Sequence, residues 1–357
     1  MAILSVSLTL SVSGLDCSVT QRQDCGYLGI DQKQCQNKGC CWVPAEDGSN
    51  DTPWCFYPIT TKPTWSVTQV LPQSGGFAAS IALDNPGAGS YGPALSQLKL
   101  IASFETELRV HFKLVDPSNA RYEVPTELLP YPSLGSEHMP LAGEAHSFDF
   151  GNPLYFVNMS RRGEAFTLRV IRSIDKVTIF DLADLEYSDM FLQLSNVFPQ
   201  QSATTGPFIY GLGEREMTFQ LPTDDHSFTM WNVDEPTPYD QNEYGTHPFY
   251  LQTLPDSGHA HGMFLRNSNG QDIIVAKDRV TFRAIGGILD WYIFVGPTHE
   301  QVIQQYHGLI GKPHFTPYWS LGWHQCKYGW KNLDEVKTVV STYAQHKIPL
   351  DTVWADM

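Results

Sequence analysis

The sequence lacks a long hydrophobic run and is poor in basic residues. Its 357 residues include 23 Lys and Arg against 38 Asp and Glu, which gives a formal net charge of −15. A carboxylate-rich surface repels phosphate groups, so nucleic acid is not an expected partner. No apolar stretch approaches the roughly 20 residues that cross a bilayer, so no transmembrane segment is predicted.

The first 14 residues are apolar and small, but none of them is basic. The stretch 1–14 can be interpreted as a partial secretory signal segment, although the basic start that such signals carry is missing. A first β-strand or an arbitrary start explains the same composition, and the sequence does not choose between these interpretations.

Cysteine is nearly absent after residue 55. Six of the seven cysteines lie within the first 55 residues, in a short glycine-rich segment that cannot bury much core and therefore needs cross-links. Zinc would require closely paired cysteines with histidine partners, which this segment lacks. Three disulfides are favoured, and the cysteine count leaves their pairing open. Disulfides imply an oxidising compartment, as do two predicted glycosylation sites at Asn50 and Asn158.

The cysteine-rich segment carries a specific pattern: RQDCG at residues 22–26, GCCW at 39–42 and PWCF at 53–56. It resembles the trefoil, or P-type, module, which is assigned to residues 15–58. The resemblance implies disulfides from the first cysteine to the fifth, the second to the fourth and the third to the sixth. The implied pairs are Cys17–Cys41, Cys25–Cys40 and Cys35–Cys55.

The same segment contains four aromatic residues, which either cover this small core or line a sugar groove: Trp42, Trp54, Phe56 and Tyr57. Covering the core is the favoured interpretation.

Short runs of alternating apolar and polar residues dominate the middle of the chain. Examples are residues 108–114 and 166–170, with more continuously apolar runs at 273–275 and 291–295. Turn-forming residues separate these runs, as in Asn267-Ser268-Asn269-Gly270. Many short strands with frequent turns predict an antiparallel β-sandwich over residues 60–300.

Two motifs in this region partly match a dinucleotide-binding site and a metal site, but neither predicts a cofactor or a metal. The segment 211–216 begins like a dinucleotide fingerprint, but its third glycine is replaced by Glu216. His259 and His261 have no third ligand near them in the sequence, so ordinary loop histidines are favoured over a metal site. No cofactor is therefore expected.

The chain changes character at residue 301. Helical spacing covers residues 300–309, an apolar run at 319–326 predicts a buried strand, residues 333–346 form a second amphipathic helix, and 350–354 predict another strand. Strand, helix and strand with short connections make a βαβ unit, the repeating unit of a (β/α)8 barrel. Residues 301–357 are thus predicted to be the truncated start of such a barrel.

Several segments resemble glycoside hydrolase family 31. They include YGLGER at 210–215, MWNVD at 230–234, YGTHPFYL at 244–251, GGILD at 286–290 and PYWSLGWHQCKYG at 317–329. The resemblance covers the chain from residue 17 to its end, and it implies a trefoil, a β-sandwich and a (β/α)8 barrel in that order.

Side chains at the carboxyl ends of barrel strands are candidates for chemistry. Tyr328 and Asp356 both follow a predicted strand, and the spacing alone favours packing for Tyr328 and a helix N-cap for Asp356. The resemblance implies that Tyr328 lines the subsite of the nonreducing glucose and that Asp356 binds the hydroxyls of that glucose. It further implies that Asp234, on a sandwich loop, contacts sugar in the neighbouring subsite. Cys326 is expected to be a buried free thiol without catalytic function.

The family implies a retaining α-glucosidase that releases terminal α-linked glucose from maltose- or glycogen-like oligosaccharides. No catalytic residue is predicted, because the Trp-x-Asp-Met-Asn-Glu motif that carries the family's nucleophile does not occur in these residues. The chain is therefore expected to be an inactive N-terminal fragment of a secreted, lysosomal or cell-surface enzyme. The alternative is a non-enzymatic carbohydrate-binding protein made of a trefoil and a sandwich.

Overall fold

The computed structural model describes residues 17–18, 22, 24–27, 29–45, 52–58, 62–86, 89–129, 148–198, 207–235 and 238–356. The candidate signal segment and Asn50 lie outside these residues. The chain divides into two compact units, Met1–Ile310 and Gly311–Met357, which are considered separately below as unit 1 and unit 2. None of the helices in the described part of the chain has the length and apolarity that crossing a bilayer requires.

Three disulfides and little regular structure form the N-terminal module. Helix α1 (Gln32–Asn37) begins at Asp31, whose side chain accepts a hydrogen bond from the Gln34 backbone amide in a capping box. Strands β1 (Cys41–Trp42) and β2 (Cys55–Phe56) pair antiparallel. The disulfides join the cysteines in the pairing that the trefoil resemblance implies: Cys17–Cys41, Cys25–Cys40 and Cys35–Cys55.

Two eight-stranded antiparallel sheets make up the rest of unit 1. Their strands are β3 (Trp65–Gln73), β4 (Gly76–Leu83), β5 (Gln97–Thr106), β6 (Arg109–Val115), β7 (Phe148–Gly151), β8 (Tyr155–Met159), β9 (Leu168–Arg172), β10 (Thr178–Tyr187), β11 (Leu192–Val197), β12 (Phe208–Gly211), β13 (Asp224–Met230), β14 (Phe249–Thr253), β15 (Ala260–Leu265), β16 (Gln271–Ala276), β17 (Arg279–Ala284) and β18 (Leu289–Phe294). Sheet 1 has the order β13-β16-β17-β11-β10-β9-β8-β7, and sheet 2 has the order β12-β14-β15-β18-β6-β5-β4-β3. The predicted antiparallel sandwich is therefore confirmed.

Aromatic side chains from both sheets meet in the core. Phe112 and Trp291 of sheet 2 lie 5.3 Å apart, and each approaches Phe180 of sheet 1, at 6.3 and 5.9 Å respectively between ring centroids. On β6 the apolar positions Val110, Phe112 and Leu114 are fully buried. The period-two pattern thus predicted correctly which side chains of this strand face the other sheet.

Helix α2 (His299–Ile310) covers part of sheet 2. Its Tyr306 stacks on Phe249 with ring centroids 4.1 Å apart, and Val302 and Leu309 are buried beside them. The helix predicted over residues 300–309 is confirmed. It belongs to unit 1, together with the sandwich.

Unit 2 contains a short parallel strand pair and a helix. Strands β19 (His324–Gln325) and β20 (Thr352–Val353) pair in parallel, and helix α3 (Leu333–Gln345) connects them. This arrangement confirms the predicted βαβ unit, and the described residues contain no closed barrel.

The buried strand predicted over residues 319–326 is wrong in its extent. A 3-10 turn occupies Tyr318–Leu321, and only His324–Gln325 pair with a neighbouring strand. The turn is closed by the Ser320 hydroxyl, which donates to the Pro317 carbonyl at 2.6 Å. The apolar composition of a segment does not show how many of its residues pair with a neighbouring strand.

Arg172 ties the two sheets together. Its guanidinium donates to the carbonyls of Ala260 and Val295, in sheet 2, at 2.6 and 2.9 Å, although Arg172 itself ends β9 in sheet 1. It also pairs with Asp175 at 2.6 Å. Burial would raise the pKa of Asp175, but hydrogen bonds from Arg172 and His259 outweigh burial and lower that pKa to about 2.

We predict that Arg172→Met lowers the free energy of unfolding by about 3–5 kcal/mol, because it leaves the half-buried Asp175 carboxylate and two carbonyls without their donor. Chemical denaturation at neutral pH measures this loss. Arg169→Met is the matched control, since Arg169 pairs with Asp181 at 3.1 Å on the exposed side of the same strand and should cost no more than about 1 kcal/mol. Equal losses in the two variants would contradict the bridging role of Arg172.

A buried charge network surrounds His111 on sheet 2. Its Nδ1 lies 2.9 Å from Glu105, and its Nε2 lies 2.7 Å from Asp290. Arg109 pairs with Glu105 at 2.8 Å and Arg266 with Asp290 at 2.5 Å, so two carboxylates face three cationic groups. Burial disfavours the charged imidazolium, but the hydrogen bonds and charges of Asp290 and Glu105 outweigh burial and raise the pKa of His111.

We predict that His111→Gln destabilises the protein more at pH 5 than at pH 9. A raised folded-state pKa adds stability below the unfolded value of about 6.5, and this contribution is lost as the pH rises through the folded value. Chemical denaturation of both proteins at the two pH values gives the difference.

Burial lowers the pKa of His261 to about 3, so its contribution to stability has the opposite pH dependence. His261 is present in both the parent chain and His111→Gln, so this contribution cancels in the difference between them. The exposed His299→Gln serves as the control, and a loss with His111→Gln that does not change with pH would refute the prediction.

Candidate functional site

The loop that follows β13 presents Asp234 to solvent. We call residues 230–234 the 230–234 loop. It begins at the buried Met230 and continues through Trp231, which is 62% exposed. The Tyr244 hydroxyl donates to Asp234 Oδ1 at 2.6 Å, and the backbone amide of Val233 donates to the Glu243 carbonyl at 3.2 Å. Asp234 is thus held by a neighbouring segment while its side chain remains exposed.

Two other segments hold this loop in place, one directly and one through the first. The Asn232 amide donates to the Tyr244 carbonyl, and the Thr246 hydroxyl donates to Asn232 Oδ1. Gly245 exchanges hydrogen bonds with Glu214, from its amide to the carboxylate at 2.9 Å and from the Glu214 amide to its carbonyl at 2.8 Å. The motif segments 210–215, 230–234 and 244–251 therefore converge on one place.

Arg215 secures the base of this loop assembly. Its guanidinium donates to the Thr229 carbonyl at 2.7 Å and to Asp240 Oδ1 at 3.1 Å, and it lies 5.3 Å from the centroid of the Phe228 ring. The end of β13 is thereby fixed to the segment that leads to Tyr244. Arg215 and Tyr244 lie in the motif segments 210–215 and 244–251, but no role in positioning the loop was predicted for them, because their partners are not visible in the sequence.

The hydrogen bond between Tyr244 and Asp234 also affects titration. The bond and the negative charge of Asp234 raise the pKa of Tyr244, because the phenolate would face a carboxylate. Tyr244 therefore stays protonated at neutral pH and acts as a hydrogen-bond donor to Asp234. This carboxylate can accept further hydrogen bonds from the hydroxyls of a ligand.

In unit 2, both predicted residues lie at the same edge of the parallel strand pair. Tyr328 follows β19 and is 80% exposed, and Asp356 follows β20 and is also exposed. Cys326 directly follows β19, and its Sγ lies 3.6 Å from Asp356 Oδ2. The carboxyl ends of the two parallel strands thus place Cys326 against Asp356, and Tyr328 follows Cys326 by two residues.

Neighbouring side chains support this edge. The Trp330 indole donates to the Trp354 carbonyl at 2.7 Å, and the Trp354 indole donates to His324 Nδ1 at 2.8 Å. Lys327 pairs with Glu335 of α3 and lies 5.2 Å from the Trp330 ring centroid. These contacts connect the segments after both strands and place the Tyr328 ring in solvent.

The prediction that Cys326 is buried is wrong. It is a free cysteine, but it is exposed, because two strands of two residues each provide no second layer to cover it. Desolvation and the adjacent Asp356 carboxylate raise the pKa of its thiol. A raised pKa keeps the thiol protonated.

His259 and His261, which the sequence analysis favoured as ordinary histidines, lie in different surroundings. His261 is buried, and His259 contacts Asp175 at 2.9 Å. Among the described residues, the one cluster with metal-ligand atoms close together consists of Cys25, Cys40 and Cys55, and all three form disulfides. Glycosylation of Asn158, half-buried on β8, stays a prediction.

Comparison with known proteins agrees with this architecture. The trefoil (P-type) domain matches residues 16–58, the glycosyl hydrolase 31 N-terminal galactose mutarotase-like domain matches residues 188–272, and the glycosyl hydrolases family 31 TIM-barrel domain matches residues 313–357. A trefoil, a mutarotase-like sandwich and TIM-barrel sequence in this order define a protein of the glycosidase class. The chain belongs to glycosyl hydrolase family 31.

Individual relatives show how much of the family architecture this chain contains. Lysosomal alpha-glucosidase of Mus musculus is 37% identical over 350 residues, which are 96% of this chain and 34% of that protein. Intestinal sucrase-isomaltase of Oryctolagus cuniculus is 34% identical over 333 residues, or 91% of this chain and 17% of that protein. The solved structure of a Flavobacterium johnsoniae GH31 dextranase complexed with glucose matches with a TM-score of 0.65 and 18% identity, over 83% of this chain and 34% of that one.

We predict that Asp356→Asn accelerates alkylation of Cys326 by iodoacetamide at pH 8. Removal of the neighbouring negative charge should lower the pKa of the thiol and increase the reactive thiolate fraction. Mass spectrometry of the alkylated peptide measures the rate, because the other six cysteines form disulfides.

The exposed Asp334→Asn, on the first turn of α3, is the control for a general change in charge. Equal alkylation rates in the parent chain and in Asp356→Asn would contradict the contact between Cys326 and Asp356.

Proposed function

We propose that this chain forms the trefoil, the sandwich and the glucose-binding start of the barrel of a retaining α-glucosidase. The observation that carries the proposal is the joint exposure of Tyr328 and Asp356 at the carboxyl edge of β19 and β20. An aromatic face and a carboxylate at the same strand edge suit a pyranose, because the ring stacks on the apolar face of the sugar and the carboxylate accepts hydrogen bonds from adjacent hydroxyls.

Asp234, on the sandwich of unit 1, is a separate proposed sugar contact. Tyr244 holds its carboxylate at 2.6 Å, so the group is oriented before a sugar arrives. An oriented acceptor loses little conformational freedom on binding, which favours affinity. The proposed substrate is an oligosaccharide with a terminal α-linked glucose, and the disulfides support a location in the secretory pathway.

Retention of configuration requires two carboxyl groups flanking the glycosidic bond, one as nucleophile and one as acid and base. The family's nucleophile motif does not occur in these residues, and the chain spans 34% of the mouse relative. We therefore assign binding and orientation of the glucose to this chain, and we assign no bond-breaking carboxylate to any of its 357 residues.

Sequencing the transcript across Met357 comes first, and the enzyme that it encodes is then assayed with maltose. We predict that Asp356→Asn lowers kcat/KM about 10- to 150-fold, which corresponds to the 1.5–3 kcal/mol of a hydrogen bond to a charged group. Tyr328→Ala and Asp234→Asn should also lower it, whereas Phe219→Ala, a change at an exposed ring on the sandwich, should leave it unchanged.

The purified 357-residue chain should release no glucose from maltose. Turnover by this chain, with contaminating glucosidase excluded, would refute the assignment of the catalytic carboxylates. Unchanged kcat/KM in Asp356→Asn would refute the assignment of the glucose site. A transcript that ends at Met357 would favour the non-enzymatic carbohydrate-binding protein.

A further inference from the structure

A second concave surface lies where the trefoil meets the sandwich. We call it the Tyr57–Trp231 groove, after the residues on its two sides. Its volume is about 580 Å³, within the range of pockets that bind small molecules. The residues assigned above to glucose binding, Asp234, Tyr328 and Asp356, do not line it.

One side of the groove is a row of rings that crosses from the trefoil into the sandwich. Tyr57, just after β2, packs edge-on against Tyr91 with centroids 5.3 Å apart, and Tyr91 lies 4.0 Å from Phe191. Phe191 is buried and anchors the row, whereas Tyr57 and Tyr91 are half-buried. The row therefore offers ring surface on a rigid support.

Large apolar side chains that remain exposed also line the groove. Trp231 is 62% exposed, Ile285 59% and Met190 72%. The Trp231 ring rests against Gly270, where an added Cβ would come within 2.9 Å of ring carbons. Glycine at this position thus allows the indole to lie close to the sheet.

The polar end of the groove carries balanced charge. Asp272 and Arg283 are opposite each other on β16 and β17, and both line the groove. The Thr229 hydroxyl donates to Asp272 Oδ1 at 2.7 Å, and Arg283 Nε donates to Gln193 Oε1 at 2.7 Å. A carboxylate and a guanidinium side by side suit an uncharged ligand with many hydroxyls better than an anion or a cation.

We propose that the Tyr57–Trp231 groove is an accessory subsite for the outer sugars of an uncharged α-glucan. Exposed aromatic and apolar faces next to paired hydrogen-bonding groups match the apolar faces and hydroxyl edges of glucose units. The groove shares Trp231 with the 230–234 loop, so it is continuous with the surface that carries Asp234. The inference rests on the proposed function, since it assumes an α-glucan as ligand.

Calorimetric titration of the purified 357-residue chain with maltoheptaose tests this proposal. Trp231→Ala removes one side of the groove, and Ile285→Trp fills it from an exposed position. Each variant should weaken binding about tenfold or more. Phe219→Ala, at an aromatic side chain that is 86% exposed and lies outside the groove, is the matched control and should bind as the parent chain does.

A second measurement uses the parent chain, so it does not depend on whether a variant folds. Bound maltoheptaose should slow the oxidation of Met190 by peroxide, because the thioether would be covered. Peptide mass spectrometry with and without the sugar measures the oxidation rate of Met190. Sugar bound at the exposed tyrosines and tryptophans of unit 2 does not enter this readout.

The outcomes separate this inference from the proposed function. Weaker binding in both groove variants, with protection of Met190, supports the groove. Weaker binding in Trp231→Ala and Asp234→Asn but not in Ile285→Trp would place the sugar on the 230–234 loop and overturn the groove, while the proposed function would stand. No binding of maltoheptaose at millimolar concentration, or binding without protection of Met190, would also overturn the groove.

Discussion

The bridging of the two sheets by Arg172 is the interaction on which unit 1 most depends. A buried guanidinium needs acceptors, and each nitrogen of Arg172 has one: Nε and Nη2 donate to Asp175, and Nη1 donates to the carbonyls of Ala260 in β15 and of Val295 directly after β18. Apolar contacts are not directional, so they specify the relative position of the two sheets less sharply than hydrogen bonds do. Directional hydrogen bonds to Ala260 and Val295 select one relative position of the sheets.

The loops at the candidate site inherit this rigidity. β13 and β14 belong to different sheets, and the 230–234 loop follows the first while the segment with Tyr244 precedes the second. Fixing the sheets therefore fixes the distance between Asp234 and Tyr244, which the Arg215 contacts then reinforce. Sugar recognition requires such order, because a carboxylate that must first be immobilised loses part of its binding free energy.

Local patterns predicted the elements whose partners are close in sequence. The alternation on β6, the amphipathic spacing of α2 and α3 and the order of the βαβ unit all follow from short-range rules. Tyr328 and Asp356 were predicted to follow strands because a strand end is a position that can be read from the chain, and both do follow one. The short extent of β19 and the exposure of Cys326 were not found, since both depend on how many neighbours pack around a strand.

The sequence by itself determined the class of each region: a cross-linked module, an antiparallel sandwich and a βαβ unit with exposed residues at its edge. It did so because hydrophobic periodicity and cysteine density constrain local conformation directly. Tertiary structure alone decided that the segments around Glu214, Asp234 and Tyr244 form one assembly. It also decided that Tyr57 of the trefoil and Trp231 of the sandwich share a groove. These contacts join residues far apart in the chain, and their energies depend on distances that no local pattern encodes.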